Sequence, residues 1–173
     1  MKIQIESKLE FKPYLKLMYQ LSYRKWSMIF TLVMGLLMLL IAIGKVTGYN
    51  GIDEEVPIFE LSFSSFILIG LPFLIYYQSK RNFISNGRLQ ERISYGFDKE
   101  KMEKMEIKGE TFSSSVTWEK TYKVKELNAW MLIYQNRQVA NIIPKESFSE
   151  QELIDFKTII CSLPELKRKF IKM

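Results

Sequence analysis

Two apolar stretches without a single charge, Trp26 to Gly44 and Leu61 to Gln78, set the pattern of this chain. At about 1.5 Å rise per residue each reaches roughly 27–28 Å as a helix, close to the ~30 Å hydrocarbon thickness of a bilayer. The pattern predicts two transmembrane helices, residues 26–44 and 61–79, forming a hairpin around an external acidic loop, residues 45–60. Pro72 removes one backbone donor from the second helix and frees the carbonyl of Leu68, which predicts a kink. Gly35 and Gly70 are the small residues that permit close helix packing in lipid.

Ahead of the first span, Ile3 and Ile5 alternate with Gln4 and Glu6, a strand pattern. Pro13 then suits the first turn of a helix, and Tyr14, Leu17, Met18 and Leu21 share one face at helical spacing. Residues 1–25 therefore read as a cytoplasmic strand and an amphipathic helix. That helix lies along the membrane surface or runs straight into the first span.

After Arg81 the period becomes two. Ile93, Tyr95 and Phe97 alternate with polar or small residues, Met105 and Ile107 follow, and Phe112, Val116 and Trp118 alternate with Ser113, Ser115 and Thr117. Trp130 to Tyr134 is apolar on both faces and so predicts a central strand. Gln135 to Gln138 is a polar hairpin turn, Val139 to Ile143 the returning strand, and Pro144 its end. Ser149 and Glu152 form a capping box for a final helix, with Leu153, Phe156, Ile160 and Leu163 as its buried stripe. Cys161 reads as a small apolar core residue of that helix. The fold class is thus an α+β membrane protein: a two-helix hairpin plus a small antiparallel β domain, residues 80–173, closed by a C-terminal helix.

Charge adds an orientation. The chain has 173 residues and a net charge of +6, distributed as +4 over residues 1–25, −3 over the loop and +5 over residues 80–173. Arg24 and Lys25 abut the first span, and Lys80 and Arg81 the second, so both termini are expected in the cytoplasm. Lys12, Lys16, Arg24, Lys25, Lys80 and Arg81 are candidate membrane-surface contacts, with the setting of topology as the preferred reading. Tyr23, Trp26, Tyr76 and Tyr77 mark the inner interface, Tyr49 and Phe59 the outer. The first span is too long for a signal-peptide core and no cleavage pattern follows it, so it is expected to be retained.

Candidate chemistry is sparse. Histidine is absent and Cys161 is the sole cysteine, which excludes histidine-based triads, disulfides within the chain and cysteine-rich zinc sites. The spans hold no ionisable residue that would suggest an ion path. No phosphate-cradling loop or nucleophile elbow is present, and the basic excess lacks a nucleic-acid motif. No catalytic, cofactor-binding or metal-binding residue is assigned.

The run Ser115-Val116-Thr117-Trp118-Glu119, then Val124, Trp130-Met131-Leu132-Ile133-Tyr134 and Ala140-Asn141-Ile142-Ile143-Pro144-Lys145-Glu146-Ser147-Phe148, resembles the C-terminal module of the YcxB-like family. The resemblance implies a small multi-pass protein of the bacterial cytoplasmic (inner) membrane, with a cytoplasmic β domain similar to the pleckstrin-homology-like fold. It brings no activity and no catalytic residues. Lys145 is a candidate domain-surface contact for phosphate or lipid, with a solvated turn lysine as the simpler reading. The expected function is a membrane-anchored, non-enzymatic module that binds a protein partner or anionic lipid. The alternative is a structural subunit of a larger complex or a homo-oligomer, and an enzyme is the remote third. The bilayer and a protein partner or second copy are the expected partners, with no cofactor and no nucleic acid.

Overall fold

In the computed structural model, residues 2–48, 56–98, 104–163 and 166–170 are described. The expected acidic loop residues Asp53, Glu54 and Glu55, the interface marker Tyr49, and Pro164 lie outside them. The chain divides into two compact units, Glu10–Asn86 and the pair of segments Met1–Leu9 and Gly87–Met173.

The first unit is helical: α1 (Phe11–Tyr23), α2 (Trp26–Val46), α3 (Ile58–Ser65) and α4 (Leu71–Ser85), the last two joined by a π turn over Phe66–Gly70. Trp26–Val46 and Ile58–Ser85 are long and apolar enough to cross a membrane. Both exceed the expected bounds. Lys45 stays helical, and Glu60 enters the second helix because the two form an ion pair at 2.5 Å. At its other end the second helix continues past Lys80 because α1 packs along it. Phe11 meets Phe83 at 5.6 Å between ring centroids, Tyr14 meets Phe83 at 5.4 Å, and Tyr14 and Leu17 are buried. The amphipathic face of α1 is thus spent on α4, and a break at Arg24–Lys25 separates α1 from α2.

A π turn lies just ahead of Pro72, where a kink was expected. Pro72 has no N–H for the carbonyl of Leu68. The ladder widens instead, with the Leu71 N–H donating to the Phe66 carbonyl five residues back. The Tyr19 hydroxyl donates to the carbonyl of Pro72 at 2.9 Å. Gly35 faces this turn. A Cβ there would lie 2.6 Å from Cγ2 of Ile67 and 3.0 Å from its Cβ. Gly70 instead faces Phe66 of its own helix.

Among the described residues, the second unit carries eight strands and one α-helix. Sheet one has the order β1-β2-β3-β4: Lys2–Lys8, Arg92–Asp98, Lys104–Lys108 and Ser113–Thr117. Sheet two has the order β7-β6-β5-β8: Ala140–Pro144, Trp130–Tyr134, Lys123–Glu126 and Arg168–Lys169. Helix α5 spans Glu150–Ser162. The unit begins at Gly87 rather than Lys80, and the N-terminal strand is part of it. β1 pairs antiparallel with β2 from Lys2↔Asp98 to Lys8↔Arg92, because Ile3, Ile5 and Ser7 present one buried face to Tyr95 and Phe97. Tyr95 shares a hydrogen bond with Ser7, and burial drives its phenol well above the ordinary range.

Period-two side chains of both sheets meet in one core with Phe156, Ile159 and Ile160 of α5. Phe156 lies edge-on to Phe97 at 4.9 Å, and Trp118 stacks on Phe97 at 6.2 Å. β6 is an interior strand, buried from Trp130 to Ile133. Cys161 is exposed, contrary to the expectation from sequence. One helical step of about 100° past Ile160 carries it off the buried stripe. Gly109 answers to a close approach, since a Cβ there would lie 2.3 Å from the Phe112 ring. That turn is tied down by Glu91, which accepts from the N–H and hydroxyl of Thr111 and whose carboxyl is thereby held below its usual range.

Two stability tests follow from this packing. Gly35→Ala should cost about 1–3 kcal/mol in detergent unfolding through overpacking, and Ile67→Ala should restore part of that loss in the double variant. Ser149 and Glu152 form the full capping box, and the Ser149 N–H and then its hydroxyl hold the Glu152 carboxyl below its usual range. Ser149→Ala should cost about 1 kcal/mol at neutral pH. A lowered folded-state pKa stabilises above the unfolded value and fades as pH falls through the folded one. The gap in melting temperature between wild type and variant should therefore narrow below the ordinary glutamate range.

Candidate interaction surface

The six basic residues singled out from sequence fall in the helical unit and are all exposed. Lys12 and Lys16 are on α1, Arg24 and Lys25 at the α1–α2 joint, Lys80 and Arg81 on α4. Because α1 runs along α4 from Phe83 towards Pro72, Lys12, Lys80 and Arg81 lie towards one end of this unit, with Arg24 and Lys25 at the far end of α1. Lys45 and Glu60 mark the other end.

Lys145 has a different setting. It opens the turn after β7, and its ammonium donates to Glu126 Oε1 at 2.6 Å. Lys157 of α5 reaches the same oxygen at 2.9 Å. The Glu126 side chain is only 1% exposed, against 23% for Lys145 and 13% for Lys157. A buried carboxylate needs such partners, since an unpaired charge is costly to remove from water. The cluster ties β5, the β7–α5 connection and α5 together at one end of sheet two. Sequence reasoning passed over Glu126, although the signal was there: alternation along β5 puts Glu126 on the same face as Val124.

At the other end of β5, Lys123 lies over the rings of Tyr134 and Tyr122 at 4.5 and 5.4 Å, and Lys167 over Tyr122 at 5.8 Å. Burial raises the Tyr134 phenol above its ordinary value. On the outer face of sheet one, Gln4, Ser94, Gly96, Glu106 and Lys108 line an open hollow of about 30 Å³. That is far below the roughly 300–1,000 Å³ of small-molecule sites. No cluster of three or more metal-ligating side chains occurs among the described residues.

The free side of β5 is covered by residues 166–170. The Val124 N–H donates to the Lys167 carbonyl at 2.9 Å, and the register is parallel, Val124↔Arg168 and Lys125↔Lys169. Leu166 is buried in the core and Phe170 packs against it. Arg168 Nη1 donates to the carbonyls of Ile160, Cys161 and Leu163 at 3.1, 2.8 and 3.2 Å. These are the orphan acceptors at the C-terminal end of α5, where a cation also opposes the helix dipole.

The family model for YcxB-like protein matches residues 97–160. The chain therefore carries a YcxB-like domain, running from the end of β2 into α5. No curated protein and no solved structure matches the chain.

Glu126→Ala should destabilise the β unit by about 3 kcal/mol, because two lysines lose their shared acceptor. Lys145→Ala should cost clearly less, since Lys157 still neutralises Glu126. Chemical denaturation of the full chain in detergent checks the ranking; equal losses would mean that the two lysines do not share one acceptor.

Proposed function

We propose that this chain is a membrane-anchored, non-enzymatic interaction module whose cytoplasmic β unit binds a protein partner. The observation that carries the reading is the insertion of the helical unit between neighbouring strands. Lys8 pairs with Arg92, so the two connections to the hairpin leave β1 and β2 at the same end of their ladder. A domain tethered twice through short connectors has little freedom to leave the bilayer.

The hairpin supplies the anchor. Its helices are apolar all round and largely uncovered: Trp26, Phe30, Leu40, Phe66, Ile69 and Phe73 are all more than half exposed. A helix of that kind belongs in hydrocarbon. The Ile58–Ser85 helix, about 42 Å long, outreaches a ~30 Å hydrocarbon layer by about 12 Å. The basic end, Lys80 and Arg81 included, then stands in the cytoplasm, where positive charge is favoured. This is the multi-pass arrangement of a bacterial inner-membrane protein with both termini inside. The β unit reads as pleckstrin-homology-like: a four-stranded meander, three further antiparallel strands, then a closing helix. Its sheet edges offer backbone donors and acceptors to a partner strand. A protein partner is favoured over lipid because Lys145 is already engaged by Glu126.

Cysteine labelling with a membrane-impermeant maleimide tests the anchor and its orientation. Asp53→Cys in a Cys161→Ser background should react in intact cells. The native Cys161, exposed on α5, should react only after permeabilisation. Labelling of Cys161 in intact cells overturns the orientation. In-cell photocrosslinking from the β unit should yield discrete protein adducts, and adducts to lipid alone would refute the protein-partner reading.

A further inference from the structure

We propose that the cleft between β5 and α5 is a docking groove for an extended peptide, filled in cis by residues 166–170. The proposal deepens the interaction-module reading and rests on it. β8 has two residues and makes the one parallel pairing among the described strands. Without it the outer edge of β5 stands open, ready to take a strand through backbone hydrogen bonds that need no particular sequence.

Specificity comes from what reaches α5. In an extended chain, residues i, i+2 and i+4 share a side. Leu166 is buried in the core, Arg168 meets the carbonyls ending α5, and Phe170 packs at the rim of the core, its ring 6.0 Å from the Lys157 ammonium. The groove thus reads a period-two pattern of aliphatic, basic and aromatic side chains. Any segment replacing this one must bring a cation to the end of α5, or those carbonyls lose their donor. The partner that fits is a protein with an exposed extended stretch of the form Leu-x-Arg-x-Phe. The groove walls, β5 and most of α5, fall within the YcxB-like match, and the filling strand does not. A two-residue ladder is also the kind of element that opens at a small fraction of the global unfolding free energy.

The test uses the full chain in nanodiscs and a fluorescent peptide copying residues 163–171. Arg168→Ala loosens the internal strand and should bind the peptide at least tenfold more tightly than wild type. The same peptide with its own arginine changed to alanine should lose that affinity. A second variant does not depend on Arg168→Ala folding: Lys125→Cys with Lys169→Cys, in a Cys161→Ser background, locks β8 onto β5 when oxidised. The oxidised form should not bind and the reduced form should bind as wild type does. Equal binding by wild type and Arg168→Ala, or by the oxidised and reduced lock, overturns the groove. So does absence of binding throughout. Protein adducts mapped in cells to other faces of the β unit would then leave the interaction module standing without it.

Discussion

The structure depends on one constraint, that β1 must find β2 across the whole helical unit. Their paired residues are about ninety positions apart, from Lys2↔Asp98 to Lys8↔Arg92. Closing a flexible loop of that length costs on the order of 4 kcal/mol in chain entropy beyond a constant. The helical unit removes most of that cost by bringing its own ends together. Phe11 meets Phe83 at 5.6 Å, with Lys8 three residues before the first and Arg92 nine after the second. The rings of α1 and α4 therefore act on sheet one at a distance in sequence. Order in the helical unit thus lowers the entropy cost of pairing the first strand.

The same constraint explains why the hairpin has a defined internal geometry and is more than a pair of greasy rods. Association of apolar helices in lipid gains nothing from the hydrophobic effect and relies on close packing and polar contacts. Both are present. Gly35 admits Ile67, the Lys45–Glu60 pair joins the helices at one end, and the Tyr19 hydroxyl of α1 reaches the carbonyl of Pro72 midway along the second. The π turn before Pro72 accommodates a missing donor without ending the helix.

Much of this was legible from residue patterns, and the misses have physical causes. Period-two alternation located the strands around Tyr95, Met105, Val116, Met131 and Ile143, and Ser149 with Glu152 marked the start of α5. The partner of β1 was not legible, because a local pattern carries no information about pairing ninety residues away. Helix ends were misjudged where tertiary contacts admit charge: Glu60 is tolerated because of Lys45, and α4 runs on because α1 covers it. Cys161 was assigned to the core from its chemistry, whereas position relative to Ile159 and Ile160 decides. Glu126 was missed because a charged residue on a buried strand face reads as an irregularity until its two lysines are seen to converge on it.

Glu126 and Arg168 hold the two sides of β5 in different ways. On the β6 side, β5 has a full antiparallel ladder, and Glu126 fastens it to α5 through Lys157. On its free side, β5 holds a two-residue partner whose side-chain contacts are made by Leu166, Arg168 and Phe170. Neither the Glu126 cluster nor the Phe97–Phe156 contact includes a residue of this segment, whereas Leu166 is itself part of the core. A binding edge of this kind therefore requires the replacing segment to refill the Leu166 position, since a surface can be vacated and refilled only if the fold survives the exchange.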